Sequence, residues 1–357
     1  MLKKCGLALM LALLALTTMV GCSRKENAKK VLHVYSWDAY FSPVLIQEFE
    51  KQFDCLIQID TFDSNEAMFA KLDAGGGGYD IIVPSHYFVQ KMAKKGMIAP
   101  LDLMKLPNIK EIDPVISQKL GTAVTNYAVP YFMSYTGIGY DTSIKDFQPS
   151  WEIMLARPDL KGRITLLDDQ MEVIGAAMMT LGLKTADLLD PTKGPANCEK
   201  VYQLAVKWRD NASKFENEQY KNGLASGEFS LVMGYGSDLA QIVAENSGKL
   251  GFVMPREGSF LSCDMLVISS SSQEPALACE FLNFLLDPKN SARNMEVVFA
   301  NSPNPAAHKL LPAEIENNNA IRISDEIIAR SEFTPELTPE QEQVFEKPWI
   351  RIRNAEK

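Results

Sequence analysis

Short runs rich in valine, isoleucine and leucine alternate along this chain with stretches of helical period, and that alternation fixes the class of fold. Residues 31–35, 56–60, 81–83, 164–167, 231–233 and 265–268 read as strands. Residues 43–51, 66–72, 172–183, 199–208 and 275–286 carry apolar side chains at helical spacing. A near-continuous apolar run such as Ile81-Ile82-Val83 suits a strand covered on both faces. Covered strands alternating with helices predict an α/β fold with mainly parallel sheets.

Lys3 and Lys4 precede an apolar stretch over residues 7–20, followed by Gly21-Cys22. A basic start, a short apolar core and a small residue before the cut describe a secretory signal. The stretch falls short of the roughly 20 residues that a spanning helix needs. Removing residues 1–21 from the 357 leaves 336 and takes away two lysines and no acid, so the formal charge moves from −9 to −11. A chain that long exceeds what one core usually serves, and two lobes are expected. Its acidic balance argues against nucleic acid and for a cationic partner.

Beyond Cys22, four cysteines remain after that cut, Cys55, Cys198, Cys263 and Cys279, without metal-ligand spacing. They read as buried small hydrophobes, although export would permit a disulfide. The four glycines from Gly75 to Gly78 lack a following Lys-Ser/Thr and read as a helix-to-strand turn rather than a phosphate loop. Asp63-Ser64-Asn65-Glu66 fits a helix N-cap, and Thr338-Pro339-Glu340-Gln341 a capping box with proline in the first helical position. Hinges are expected near residues 135–139, around Ser262 and near His308.

Function is signalled where strands end. Trp37, Asp38 and Tyr40 follow the first strand, and Ser85 and Tyr87 the third. Asp168, Asp169 and Glu172 follow residues 164–167, Tyr235 and Asp238 follow 231–233, and Asp264 stands just before 265–268. Open α/β sheets bind ligands outside the carboxyl ends of their strands. Ring faces and carboxylates both attract positive charge, so such a crevice suits an organic cation. Taken singly, each residue has an ordinary reading. Asp169 and Glu172 are well placed to cap a helix, and Trp37, Tyr87 and Tyr235 could be plain core or surface rings.

Catalysis finds little support. His33, His86 and His308 are far apart and show no metal spacing. Gly234-Tyr235-Gly236-Ser237-Asp238 lacks the glycines two positions either side of the serine that a nucleophile elbow requires. No cofactor motif is present, and the chain is expected not to be an enzyme.

Several segments closely resemble the periplasmic spermidine/putrescine-binding proteins of polyamine ABC importers. They are Tyr35-Ser36-Trp37-Asp38-Ala39-Tyr40, Phe62-Asp63-Ser64-Asn65-Glu66, Tyr79-Asp80-Ile81-Ile82-Val83-Pro84-Ser85-His86-Tyr87 and Leu167-Asp168-Asp169-Gln170-Met171-Glu172. Gly234-Tyr235-Gly236-Ser237-Asp238, Phe281-Leu282-Asn283-Phe284-Leu285-Leu286 and Ser302-Pro303-Asn304-Pro305 continue the match in family order. The resemblance implies a two-lobed, type II binding-protein fold with mixed, mostly parallel sheets, flanking helices and a ligand cleft between the lobes. It places one lobe in residues 31–136 and 263–308, and the other in 137–262 and 309–357, after an anchor linker at 22–30. Met19-Val20-Gly21-Cys22 resembles a bacterial lipobox, which implies acylation of Cys22 and attachment to a membrane from the periplasmic space.

The same resemblance assigns roles. Trp37, Tyr40, Tyr87 and Tyr235 match aromatic positions that flank the polyamine chain. Asp169, Glu172 and Asp264 match acids that hold its ammonium groups, Asp38 and Ser85 match polar cleft positions, and Asp238 matches an acid of the putrescine-preferring branch. Ala39 stands where relatives often carry an acid. Ser262, Asn301 and Thr334 replace a tryptophan, a tyrosine and a glutamine of the spermidine binder, which leans the expectation toward putrescine. The implied partners are a membrane permease and its ATPase. A polyamine-sensing or adhesive lipoprotein and an amine-processing enzyme are the alternatives.

Overall fold

The computed structural model describes residues 29–318 and 321–354. The signal sequence and the expected lipidation at Cys22 lie outside the described residues. Among the described residues ten strands form one continuous arrangement: β1 Lys30–Ser36, β2 Cys55–Thr61, β3 Ile81–Ile82, β4 Ala128–Asp141, β5 Ile164–Leu166, β6 Lys214–Phe215, β7 Leu231–Tyr235, β8 Leu250–Val253, β9 Phe260–Ile268 and β10 Glu332–Phe333. Their order is β2-β1-β3-β9-β4-β7-β5-β6, with β10 on β9 and β8 on β4. Parallel pairing links β1 to β2 and β3, β5 to β6 and β7, and β10 to β9. The long strands β4 and β9 run antiparallel to each other, β9 runs antiparallel to β3, and β4 to β7 and β8.

Two lobes follow from what β4 does along its length. From Ala128 to Tyr135 it pairs with β9; from Thr136 onward it pairs with β7 and β8. One strand therefore belongs to both halves, and it changes neighbours where Tyr135 lies opposite Leu261. The sequence reading missed β4 because Pro130, Ser134, Gly137 and Gly139 break its apolar run. Pro130 lacks an N–H for the ladder, and the register shifts between Pro130 and Phe132 to absorb it. At Gly137 a Cβ would lie 2.4 Å from the Phe252 ring, so the close approach of β8 requires glycine there.

β9 corrects a second expectation. It begins at Phe260, so Asp264 lies inside the strand rather than before it. The cause is alternation: Cys263 and Met265 point into the core with no exposure, while Ser262 and Asp264 occupy the opposite face.

Helices cover both faces. α1 Pro43–Phe53 packs on β2, and α3 His86–Lys94 on β9; α2 Asn65–Asp73 lies between β2 and β3 in the chain. In the other half α4 Gln170–Thr180, α5 Gly194–Asn211 and the C-terminal α8 Pro339–Asn354 pack on one another, with α6 Gly236–Glu245 against β4 and β8. α7 Pro275–Leu286 returns to the first half, where Phe281 meets Phe49 with ring centroids 4.8 Å apart. Trp151 and Trp208, both fully buried, sit 6.4 Å apart in the second. After the short helix Pro305–His308 the chain passes back, and the Asn318 amide donates to the Ala240 carbonyl at 3.2 Å.

Local signals held at most ends. The glycine run is the turn between α2 and β3, with φ of +88° at Gly75 and +97° at Gly78, where a side chain would be strained. Ser64, not Asp63, caps α2 by accepting from the Ala67 N–H at 3.1 Å. The capping box of α8 is reciprocal: Thr338 N–H donates to Gln341 Oε1 at 3.0 Å, and Gln341 N–H to Thr338 Oγ1 at 3.4 Å. Thr338→Ala is expected to cost about 1 kcal/mol of stability, measured by urea unfolding with unchanged slope. The four described cysteines are free thiols, Cys55 and Cys263 fully buried and Cys198 and Cys279 partly so.

Two buried polar side chains tie segments distant in the chain together. Asp80 accepts from the N–H groups of His33, Gln273 and Glu274 and from the Ser272 hydroxyl, all within 3.0 Å. His86 takes a hydrogen bond from Cys263 N–H at Nδ1 (3.2 Å) and donates from Nε2 to the Thr334 carbonyl at 3.0 Å. Burial holds its pKa down at about 4, so it stays neutral and joins α3, β9 and the segment after β10.

Candidate functional site

All eleven residues singled out at strand ends line one cleft of ≈ 1660 Å³ between the two halves: Trp37, Asp38, Tyr40, Ser85, Tyr87, Asp168, Asp169, Glu172, Tyr235, Asp238 and Asp264. The parallel strands explain why. β1, β5 and β7 each deliver their carboxyl ends to the cleft, leading respectively into Trp37–Tyr40, into Asp169 at the head of α4, and into Tyr235 at the head of α6. Ser85 and Tyr87 sit at the start of α3.

One wall centres on Asp264, which is 7% exposed. Tyr40 O–H donates to its Oδ2 and Ser85 O–H to its Oδ1, the latter at 2.7 Å. Ser85 occupies the cap position of α3, yet its hydroxyl makes no cap bond and is spent on Asp264 instead. Burial pushes the Asp264 carboxyl above its usual range, and the two hydroxyl donors pull it back. Asn65, which the sequence reading treated only as part of a cap, locks this wall. Its Nδ2 donates to Ser85 Oγ and Tyr87 OH at 3.0 Å each, and its Oδ1 accepts from Ser85 N–H at 2.9 Å. The Tyr40 loop is held from behind by Asn294, whose amide reaches Tyr131 OH and the Ser42 N–H.

The facing wall is built on the first turn of α4. The capping expectation for Asp169 holds for one oxygen: Oδ1 accepts from Met171 N–H at 2.9 Å and Glu172 N–H at 3.2 Å. Its other oxygen accepts from the Tyr235 hydroxyl at 3.2 Å and stays on the cleft side. Glu172 Oε2 is buried and has no hydrogen-bond partner. Burial first, then the neighbouring Asp169 charge, push the Glu172 carboxyl up to about 8, eased only by the Thr136 hydroxyl. A carboxyl with one buried oxygen left unpartnered, beside a second acid, is a poised acceptor for a cationic donor.

The remaining residues differ in how committed they are. Trp37 packs edge-on against Phe62 at 4.5 Å, and its buried Nε1 has no partner. Asp38 is exposed at the rim. Asp238 is already engaged: Tyr220 O–H donates to its Oδ2 at 2.7 Å and Lys221 Nζ lies 3.5 Å from its Oδ1. Asp168 likewise meets Arg353 at 3.1 Å. The cleft also recruits residues that no strand-end rule could flag, including Glu336, Glu342 and Trp349 from the C-terminal segment and Lys91 and Lys94 from α3. Among the described residues no group of His, Cys, Asp or Glu is arranged to hold a metal ion, and no helix is long and apolar enough to cross a membrane.

Comparison with known proteins matches this architecture. The family model for bacterial extracellular solute-binding proteins matches residues 44–322. The putrescine-binding periplasmic protein SpuD of Pseudomonas aeruginosa is 30% identical, over 99% of this chain and 100% of its own length. The spermidine/putrescine-binding periplasmic protein of Salmonella typhimurium is 32% identical over 85% of this chain and 86% of its own. Among solved structures, the spermidine/putrescine transporter substrate-binding protein PotD of Streptococcus pneumoniae superposes with a TM-score of 0.83 at 27% identity, covering 91% of this chain and 99% of that one. The TpPotD lipoprotein of Treponema pallidum gives 0.77 at 26% identity, covering 90% and 99%.

Proposed function

We propose, from the premise that this chain belongs to the bacterial extracellular solute-binding protein family, that it captures an aliphatic polyamine, putrescine before spermidine, and delivers it to a membrane permease driven by an ATPase. The observation that carries this reading is the pair of facing anionic stations, Asp264 on one wall and Asp169 with Glu172 on the other, with Trp37, Tyr40, Tyr87 and Tyr235 in the same cleft. A polyamine offers only donors at its charged ends and methylenes between. Carboxylates accept from the ends, and ring faces cover the methylenes while adding about 0.5–2 kcal/mol of cation–π attraction each.

Closure supplies the rest. A cleft of ≈ 1660 Å³ exceeds the roughly 300–1,000 Å³ of a fitted small-molecule pocket. A slender ligand would touch one wall until the lobes, divided near residues 136, 262 and 308, swing together. β4 and β9, opposed at Ser134 and Ser262, are the strands that would flex. At the N-terminus, acylation of Cys22 would tether the mature protein to the membrane beside its permease. Ser85 spends its hydroxyl on Asp264, and His86, which has the Ser262 hydroxyl at 3.5 Å, is engaged by the Cys263 N–H and the Thr334 carbonyl and held by burial at a pKa of about 4, a poor general base, which supports binding rather than turnover.

Titration calorimetry of the mature chain with putrescine, spermidine, lysine and maltose tests the reading. Heat with the polyamines at micromolar or tighter affinity, about −8 kcal/mol or better, is expected. Heat with lysine alone, with maltose, or with none of the four overturns it.

A further inference from the structure

Donors and acceptors on the Asp264 wall can be matched in one way. The Ser85 N–H can only donate, so the Asn65 atom 2.9 Å from it is the amide oxygen. The other atom of that amide is then the nitrogen, whose two N–H groups run to Ser85 Oγ and Tyr87 OH at 3.0 Å each. Ser85 Oγ therefore accepts from Asn65, and its single proton is left for Asp264 Oδ1 at 2.7 Å. Tyr40 donates to the other oxygen of the same carboxylate. The direction of this relay is set at a backbone N–H and ends on a carboxylate, which only accepts when ionised.

The helix that Asn65 opens does not require its side chain, because Ser64 caps α2. Asn65 is 3% exposed, and its three hydrogen bonds all go to Ser85 or Tyr87, two residues of the cleft lining. A serine in a helix cap position ordinarily turns its oxygen toward the N–H groups of the first turn. Ser85 holds that position in α3 and makes no such bond. Released from Asn65, its hydroxyl could rotate to the cap geometry and away from Asp264.

We propose that Asn65 is a positioning residue of the ligand site: it directs the Ser85 hydroxyl proton onto Asp264 and holds the hydroxyl end of Tyr87, so that the carboxylate meets an ammonium group already oriented. The inference rests on the polyamine reading of the cleft and deepens it. Ser85 then serves the ligand through Asp264 rather than as an acceptor of its own. A wall ordered on folding need not be ordered on binding, which is how preorganisation raises affinity.

Putrescine titrations of the wild-type chain, Asn65→Ala, Ser85→Ala, the double variant and Asn65→Asp decide the matter, with matching circular dichroism spectra to establish folding. Asn65→Ala should weaken binding at least tenfold. The double variant should bind no more than threefold more weakly than the weaker single variant, whereas independent roles multiply their losses. Asn65→Asp keeps the acceptor for the Ser85 N–H but turns the donors into an acceptor, drawing both hydroxyl protons toward residue 65. Its added negative charge alone would tighten a cation, so a loss of at least fivefold is the signature of the missing donors. The Ser85 hydroxyl pulls the Asp264 carboxyl down, and without that donation the carboxyl moves further up. In a Glu172→Gln background, which removes that group's own slope, acidification should therefore begin to weaken binding at a higher pH once Asn65→Ala is added. An Asn65→Asp variant that gains affinity or loses less than fivefold, losses that multiply, or an unmoved acid limb overturns the proposal. A wild type that binds neither putrescine nor spermidine overturns the polyamine reading itself and is thereby distinguished.

Discussion

Asp264→Asn is expected to weaken putrescine binding by about 2–3 kcal/mol, roughly 30- to 150-fold, the upper part of the range for a hydrogen bond to a charged group. The substitution keeps the shape and one carbonyl oxygen for the Ser85 hydroxyl, but it removes the charge of one wall and turns an acceptor into a donor. The preparation for that charge is costly. Tyr40 and Ser85 both spend their hydroxyls on it, and Asn65 spends a whole buried amide holding Ser85 and Tyr87 in place. Burial already disfavours the Asp264 anion in the empty cleft. The neutral amide should therefore leave the melting temperature of the empty protein unchanged or raised. Calorimetry and a thermal melt on the same sample separate the two effects. A loss of affinity below about fivefold would remove Asp264 from the ammonium site.

Glu172 carries the second large effect, and it is a function of pH. Burial and the Asp169 charge push its carboxyl up to about 8, while aliphatic ammonium groups titrate near the lysine value of ~10.4. Between pH 6 and 8 the ligand thus keeps its charge while the site gains its own. An incoming ammonium favours the ionised carboxylate, so binding at neutral pH displaces a proton. Affinity should rise with pH, approaching tenfold per unit from pH 6 to about 8, and then level off. The groups facing Glu172 are Asp169, whose charge raises it, and the Thr136 hydroxyl, which lowers it. Glu172→Gln should abolish the slope and weaken putrescine by at least about 1.5 kcal/mol at pH 8, with the two proteins converging toward pH 6. Heats measured in buffers of different ionisation enthalpy should show proton release for the wild type only.

Stability moves the other way. A carboxyl whose folded pKa lies above its unfolded value stabilises the fold fully below the unfolded pKa of about 4.5, and that contribution is lost as pH rises through about 8. The empty wild-type protein should therefore melt lower at pH 8 than its Glu172→Gln variant, and the gap should close toward pH 5. The residue proposed to hold an ammonium is the one whose burial strains the fold.

Much of the cleft lining was legible because its residues sit at strand ends. Trp37, Ser85, Asp169 and Tyr235 each follow an apolar run of the kind that a covered parallel strand demands, and parallel strands of one sheet discharge on the same edge. Local periodicity is enough to locate such ends. It failed at β4, where Pro130 and two glycines hide a fourteen-residue strand, and at the first half of β9, so the two strands that join the lobes were the least visible. Asn65 was missed as a brace of the cleft wall because its position at the head of α2 gave it a sufficient ordinary role.

Sequence by itself determined the alternation of strands and helices, the two-lobed class and the set of rings and acids at the crevice, since burial on both strand faces and the chemistry of side chains are local properties. Only the tertiary structure decided which of those acids remain unsatisfied. Lys221, Arg353 and Lys94 reach Asp238, Asp168 and Glu336 across 17, 185 and 242 residues respectively, and compensation of charge between a pair so placed depends on packing that no local pattern encodes.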